Sequence, residues 1–346
     1  MTADVGSEAG ADVRPVASSV EELLGPGAVR EPFHHDDGKS GATMERIVLD
    51  GDRYVLKRLH LDDDWTMRAT GDLAVRPIAV WRTGWLDDVP ACIDHATVGA
   101  AWDDRPSGRG GAILMHDVGG ALLPEGDHEI PLEQHLAFVD HMAQLHVAFW
   151  GCADTAGLMP VSDRFVFFGP RLARAERARG GTDVVPTELV HAGWPRFAER
   201  APRAAEVVLG LHDDARPLVD ALAATPKTLI HGDWKAGNLG QHADGRTILL
   251  DWAVPGIAPP CTDIAWYVCL NRARLPQTKE QTLSAYRQAL ERHGIDTAPW
   301  WDRQLALCLL GMLMLFGWEK ALGDDDEAAE ELAWWESRAL EGAGLL

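Results

Sequence analysis

Two rhythms of apolar positions divide this chain. Between about Phe33 and Leu59, RIVL and RYVLKRL flank DGD in a strand-like pattern, and Asp50-Gly51 supplies the two-residue turn of a β-hairpin. The loops GWLDDVP and RPSGRGG follow, and then AILMHDVGG reads as a buried strand running into a glycine break. From Pro131 to Trp150 the spacing lengthens. Leu132, Leu136, Val139, Met142, Leu145 and Phe149 recur at steps of three and four, which predicts a helix that buries this face. Helical patterns continue over roughly 170–222 and 276–340. The most apolar run, Leu305 to Trp318, is shorter than the ~20 residues of a bilayer span and reads as a buried helix. The expected fold class is therefore α+β: a smaller strand-rich part, a connection near 113–120, and a larger, mainly helical part. The expected boundaries are a flexible tail over 1–30, a first unit over 31–117 and a second over 118–346.

Composition narrows the function classes. A length of 346 residues allows two cores, and the 46% hydrophobic and 25% charged content is ordinary for a globular protein. Five cysteines include no CxxC pair, which suits a reducing cytoplasm better than a disulfide framework or a cysteine-rich metal site. The start, MTADVGSEAGADV, has no basic segment leading into an apolar one, so a signal peptide is not expected. A formal charge of −21 argues against nucleic acid as a partner and is compatible with a cationic ligand.

The densest polar stretch is HGDWKAGN, His231 to Asn238, directly after the apolar TLI (Thr228 to Ile230). A second hairpin follows, LGQHADGRTILLDW, with Asp244-Gly245 as its turn signal. If those two residues form the turn, cross-strand partners have numbers summing to 489, which pairs Asn238 with Asp251. Direct partners share a face about 5 Å apart, so an amide oxygen and a carboxylate would meet there, a donor set suited to Mg²⁺. The chain contains only two asparagines and six lysines, beside 26 arginines, and this loop holds one asparagine and one lysine.

The pattern H-x-D-x-x-x-x-N, followed by a strand ending in Asp, resembles the catalytic and metal-binding loops of eukaryotic-like kinases. The spelling HGDxxxGN with LLDW is similar to the aminoglycoside phosphotransferase family, specifically over 228–267 and more loosely over 33–150. That resemblance implies a bilobal protein-kinase-like fold with a small β-rich N-lobe and a larger helical C-lobe, using ATP (or GTP) and Mg²⁺. It implies Asp233 as catalytic base, Asn238 and Asp251 as metal ligands, His231 as a brace of the loop, and Lys235 as a neutraliser of the γ-phosphate. Asp263, in CTDIAW, would support the loop by hydrogen bonds. In the nucleotide lobe it implies Lys57 of VLK as the phosphate-binding lysine. Ser40 and Gly41 of GKSGA would cradle phosphates, and the backbone of Met115 would line the adenine slot. The GKS spelling is not a Walker motif, since Phe33 stands where that motif needs glycine. No glutamate occurs over 60–80 to pair with Lys57; Asp72 is the best substitute, with Asp62 to Asp64 as alternatives.

For the acceptor, the resemblance points to the C-terminal helices, where Trp318, Glu319 and Glu336 stand within an acid- and tryptophan-rich tract. A solvated acidic helix accounts for the same tract. The expected function is phosphorylation of a hydroxyl on a small, polyhydroxylated, cationic molecule of aminoglycoside type. The alternatives are a kinase for a metabolic sugar, amino sugar or amino alcohol, and a non-catalytic nucleotide-binding pseudokinase.

Overall fold

The computed structural model describes residues 14–33 and 40–346. Its small lobe is built on one antiparallel sheet: β1 (Val29–Phe33), β2 (Thr43–Leu49), β3 (Asp52–His60), β6 (Gly110–His116) and β5 (Thr97–Trp102), adjacent in that order. The hairpin between β2 and β3 turns at Asp50 and Gly51, both at positive φ (54° and 91°). Two such residues give the turn whose twist matches the flanking strands. Its register sets Leu49 against Asp52 and Met44 against Lys57.

Residues ahead of this sheet depart from the expected tail. From Ala17 onward the segment is packed. Ala17 bridges Ala101, and Ser19 caps α1 (Val20–Leu24) by accepting from the Glu22 N–H. Val20 and Leu24 are buried against Ile47, Leu56 and Leu114. Two apolar residues four apart suffice to dock one helical turn, a signal too short to register as periodicity.

α2 (Trp65–Ala69) and α3 (Arg76–Arg82) follow β3, and β4 (Ile93–Asp94) leaves the small sheet to pair in parallel with β9 (Thr247–Leu249) of the large lobe. The large lobe contains α4 (Leu132–Ala148), α5 (Val161–Arg164), α6 (Pro170–Ala178), α7 (Val190–Arg200), α8 (Pro202–Asp213) and α9 (Arg216–Ala223). It continues through β7 (Thr228–Ile230), β8 (Leu239–Gln241) and β10 (Gly256–Ala258) to α10 (Cys261–Leu270), α11 (Lys279–Arg292), α12 (Trp301–Lys320) and α13 (Asp326–Ala343). α12 is buried at every position from Leu307 to Trp318, as its all-round apolar surface requires.

The buried face of α4 is not the expected one. Val139, Met142 and Leu145 are inside, but Leu132 and Leu136 are 49% and 39% exposed, and His135 and His146 are buried instead. Each histidine finds a partner: His135 Nδ1 meets the Tyr267 hydroxyl at 2.9 Å, and His146 Nδ1 meets that of Tyr286 at 2.5 Å. A polar ring with partners on the next helix can replace leucine on a core face.

The lobes are tied directly. Arg68 of α2 makes a two-pronged ion pair with the buried Glu176 of α6 (2.8 and 2.7 Å), and Trp65 packs on Phe168.

Candidate active site

The HGDWKAGN loop starts where fully buried β7 ends. Its backbone is held from α10. The carboxylate of Asp263, 0% exposed, accepts the His231 N–H on Oδ2 and the Gly232 N–H on Oδ1, both at 2.8 Å. Burial works against ionised Asp263, but His146 and the Gly232 amide outweigh it and hold the carboxyl below its ordinary range. Asn271 Oδ1 takes the Ala236 N–H at 2.8 Å, which closes the far end of the turn. His231 is buried, and burial lowers its pKa; Nδ1 accepts the Asp233 N–H at 3.2 Å while the ring stands edge-on to Trp252.

Gly232 allows this shape. At φ +81° it suits glycine, and a Cβ would meet Val254 O and come within 2.5 Å of Arg164 Nη1. Arg164, from α5, is wholly buried under the loop, donates to Val254 O at 2.6 Å, and has no partner for Nε or Nη1 among the described residues. Burial draws its pKa down to about 10, while the carboxylates of Asp263 and Asp233 act in the opposite direction. Nothing in the sequence pattern marks this residue.

Asp233 lies at the centre, 9% exposed. Oδ2 accepts Lys235 Nζ at 2.9 Å and Asn238 Nδ2 at 2.8 Å, and Oδ1 accepts the indole N–H of Trp266 at 3.1 Å. The same Asn238 nitrogen donates to Asp233 O at 2.9 Å, so the amide oxygen of Asn238 is turned away from Asp233.

The route to Asp251 differs from the expected one. The hairpin pairs Leu239 with Leu249 and Gln241 with Thr247, and His242 N–H donates to Arg246 O. Its loop is three residues long and ends in Gly245 at φ +89°, so the register shifts by one and Asn238 faces Leu250, not Asp251. Asp251 lies past the ladder at φ +66°, a left-handed conformation, and its carboxylate reaches Lys57 Nζ at 2.7 Å. Its carboxyl is held below the ordinary range: enclosure opposes the charge, and the Lys57 ammonium outweighs it.

The phosphotransferase enzyme family matches residues 35–299. The chain belongs to that family. Its fold is shared by the microcompartment-associated aminopropanol kinase, at 14% identity and TM-score 0.50, with 93% of this chain and 95% of that one covered. The choline kinase LicA from Streptococcus pneumoniae is similar at 13% identity and TM-score 0.53, with 94% and 96% covered. No protein with a curated description matches this sequence. The chain is a small-molecule phosphotransferase with a hydroxyl acceptor, on a protein-kinase-like fold.

The donor set of this phosphotransferase fits a phosphate chain with its divalent cation. The Asn238 amide oxygen and the Asp251 carboxylate are hard oxygen donors of the kind that could hold such a cation, and Lys57 is the cation paired with Asp251. Asp72 is not the partner of Lys57. It accepts the Ala74 and Arg76 N–H groups at the start of α3. Asp64 caps α2 through the Thr66 and Met67 N–H groups, and burial raises its carboxyl to about 6 although Lys57 counters this. Ser40 O accepts the Trp65 N–H, and Gly41 packs on Asp63 at φ +87°. Gly38 and Lys39 lie outside the described residues. Met115 is half-buried in β6, paired with Val55 and Thr97.

The acceptor candidates separate. Trp318 is not a surface stacking platform; it is buried and packs against Phe168. Glu319 is half-buried with Oε2 2.9 Å from Lys320 Nζ, and Glu336 is half-buried on α13. Other acids of the tract serve the structure. Glu331 is buried between Lys279 (2.5 Å) and Lys320 (3.5 Å), Asp324 pairs with Arg196, and Asp325 caps α13. Among the described residues no helix is long and apolar enough to cross a membrane.

Proposed function

We propose that this phosphotransferase moves the γ-phosphoryl group of ATP, with GTP as the alternative donor, to a hydroxyl of a small cationic molecule. The observation that carries the reading is the Asp233 carboxylate, fixed by two donors of its own loop and a third from α10. In this reading 31–117 is the nucleotide-binding lobe and 118–346 supplies catalysis and the acceptor site. Asp233 receives the acceptor's hydroxyl proton as the oxygen–phosphorus bond forms, and the bridging oxygen leaves on ADP with the electron pair of the broken bond. Asn238 and Asp251 would hold Mg²⁺, which would neutralise phosphate charge. Lys57 anchors the phosphate chain, Ser40 and Gly41 cover it, and the Met115 backbone lines the base slot. Lys235, the most exposed member around Asp233, meets the transferred group, and His231 braces the loop from beneath. Such catalysis is mainly positioning and charge neutralisation.

The half-buried acids Glu319 and Glu336, within a chain of formal charge −21, support an amine-bearing acceptor of aminoglycoside type. A second reading, an amino-alcohol kinase, is favoured by an aromatic chain beside Asp233. It runs from Trp266 through Phe316 to the half-buried Phe168, and aromatic faces attract alkylammonium groups. Five free cysteines fit a reducing cytoplasm.

The test is ADP release across aminoglycosides, amino sugars, amino alcohols and neutral sugars. A neutral sugar used more efficiently than every amine-bearing analogue would overturn the cationic acceptor. With the best acceptor, Asp233→Ala should lose roughly 10²–10⁴-fold in turnover yet keep nucleotide affinity. Turnover within a few-fold of the parent would remove Asp233 from its role.

A further inference from the structure

Asp233 does not stand free, and the donor on its Oδ1 is the indole of Trp266 on α10, a side chain to which the resemblance assigns no role. We propose that Trp266 is a positioning residue for phosphoryl transfer, its indole N–H fixing the Asp233 carboxylate so that one lone pair on Oδ1 is left for the acceptor hydroxyl. The inference rests on the reading of Asp233 as proton acceptor.

Three observations combine. A carboxylate offers about four lone-pair sites, two on each oxygen. Lys235 and Asn238 fill those of Oδ2, and Trp266 takes one on Oδ1. When Lys235 turns to the transferred phosphoryl group, Asn238 and Trp266 still hold the carboxylate, one on each oxygen. Two opposed donors fix the plane of a carboxylate, where one would leave it free to rotate.

The second observation is that packing alone does not require an indole. The ring is 4% exposed, set edge-on to Phe316 (centroids 5.0 Å, 74°) and roughly parallel to Phe167 (6.5 Å, 29°). A phenylalanine could occupy such an aromatic setting; what indole adds is a donor. With water excluded, that donor acts in a low dielectric, where a hydrogen bond to a charged group is strong.

The third is spacing. Asp263 and Trp266 are three apart on α10 and share one face. Asp263 holds the loop backbone at His231 and Gly232, and Trp266 holds the carboxylate of the next residue, Asp233. One rigid helix therefore sets both the path of the loop and the aim of its functional side chain, so neither can shift without the other.

The test is Trp266→Phe in the full chain, assayed with the best acceptor from the ADP-release screen. Loss of that donor should lower kcat roughly ten- to a hundredfold, with the nucleotide KM unchanged within about twofold. A variant carrying 3-benzothienylalanine at position 266 keeps the bicyclic shape without the N–H, and should reproduce the defect with the parent's melting temperature. In indole NMR spectra, the resonance lost in Trp266→Phe should shift toward the ordinary indole range in Asp233→Ala. A benzothienyl variant with the parent's kcat, or an indole resonance unmoved in Asp233→Ala, overturns the role of Trp266. Turnover retained in Asp233→Ala would bring down the proton-acceptor reading itself, and this inference with it.

Discussion

At the scale of single residues, the loop's polar groups were legible because they are neighbours in the chain. Asp233, Lys235 and Asn238 are bonded to one another within six residues, and their spacing carries the pattern directly. Asp263 was expected to hold the loop from outside and does, but the other groups that reach it from elsewhere were hidden. Trp266 lies 33 positions beyond Asp233, and Arg164 carries no motif at all. The partner of Lys57 was hidden for the same reason: Asp251 is 194 positions away, while the nearer Asp72 is occupied in starting α3. Asp251→Asn removes the charge that balances Lys57 and one proposed metal ligand together. Mg²⁺-dependent ADP release should fall roughly a hundredfold with the fold intact, and nucleotide binding should lose its dependence on Mg²⁺. Titrating nucleotide with and without the cation checks this; an unchanged Mg²⁺ dependence would sink the ligand role.

Among the elements, hairpins were read well where the turn had two residues and less well where it had three. Asp50-Gly51 gave the register of β2 and β3 correctly. Asp244-Gly245 is the end of a three-residue loop, and that single extra residue displaced the expected pairing of Asn238. In α4 the pattern slid at its ends, because His135 and His146 are buried by hydrogen bonds that a hydrophobic count does not see. Gly41 gives an element-scale prediction. Its φ of +87° disfavours a side chain by about 1–2 kcal/mol, and a Cβ would also run into Asp63 O. Gly41→Ala should therefore push the β2 lead-in off the β3–α2 turn and raise the nucleotide KM several-fold more than it lowers kcat. Equal effects on both constants would place the loop away from the nucleotide.

At the scale of the whole molecule, the acidic balance is partly internal architecture. Glu331, Lys279 and Lys320 form a buried network, so a tract that looks like an acidic wall in the sequence is in part a bolt between α11, α12 and α13. Buried titratable groups also set the acid limit of the fold. His135 is fully buried, which lowers its pKa from 6.5 to about 4. The unfolded chain then binds the proton more readily, so this contribution is intact above pH 6.5 and is lost as pH falls toward 4. The slope is about 1.4 kcal/mol per pH unit. Asp64, raised to about 6, acts with the opposite sign, since the folded chain binds its proton more tightly. Melting temperatures between pH 7 and 4.5 should drop less in His135→Gln than in the parent; parallel curves would show that His135 does not govern the acid limit.

The ion pair between Lys57 and Asp251 gives nucleotide binding a particular character. The resting cleft already holds a counter-charge, supplied by the protein, at the proposed phosphate site. In that reading entry would be an ion exchange rather than an addition: phosphate would displace carboxylate from one ammonium group. The carboxylate so released would be free to hold a divalent cation. A phosphate chain arriving without its cation would leave that carboxylate stranded, so the two halves of the proposed site are best filled together.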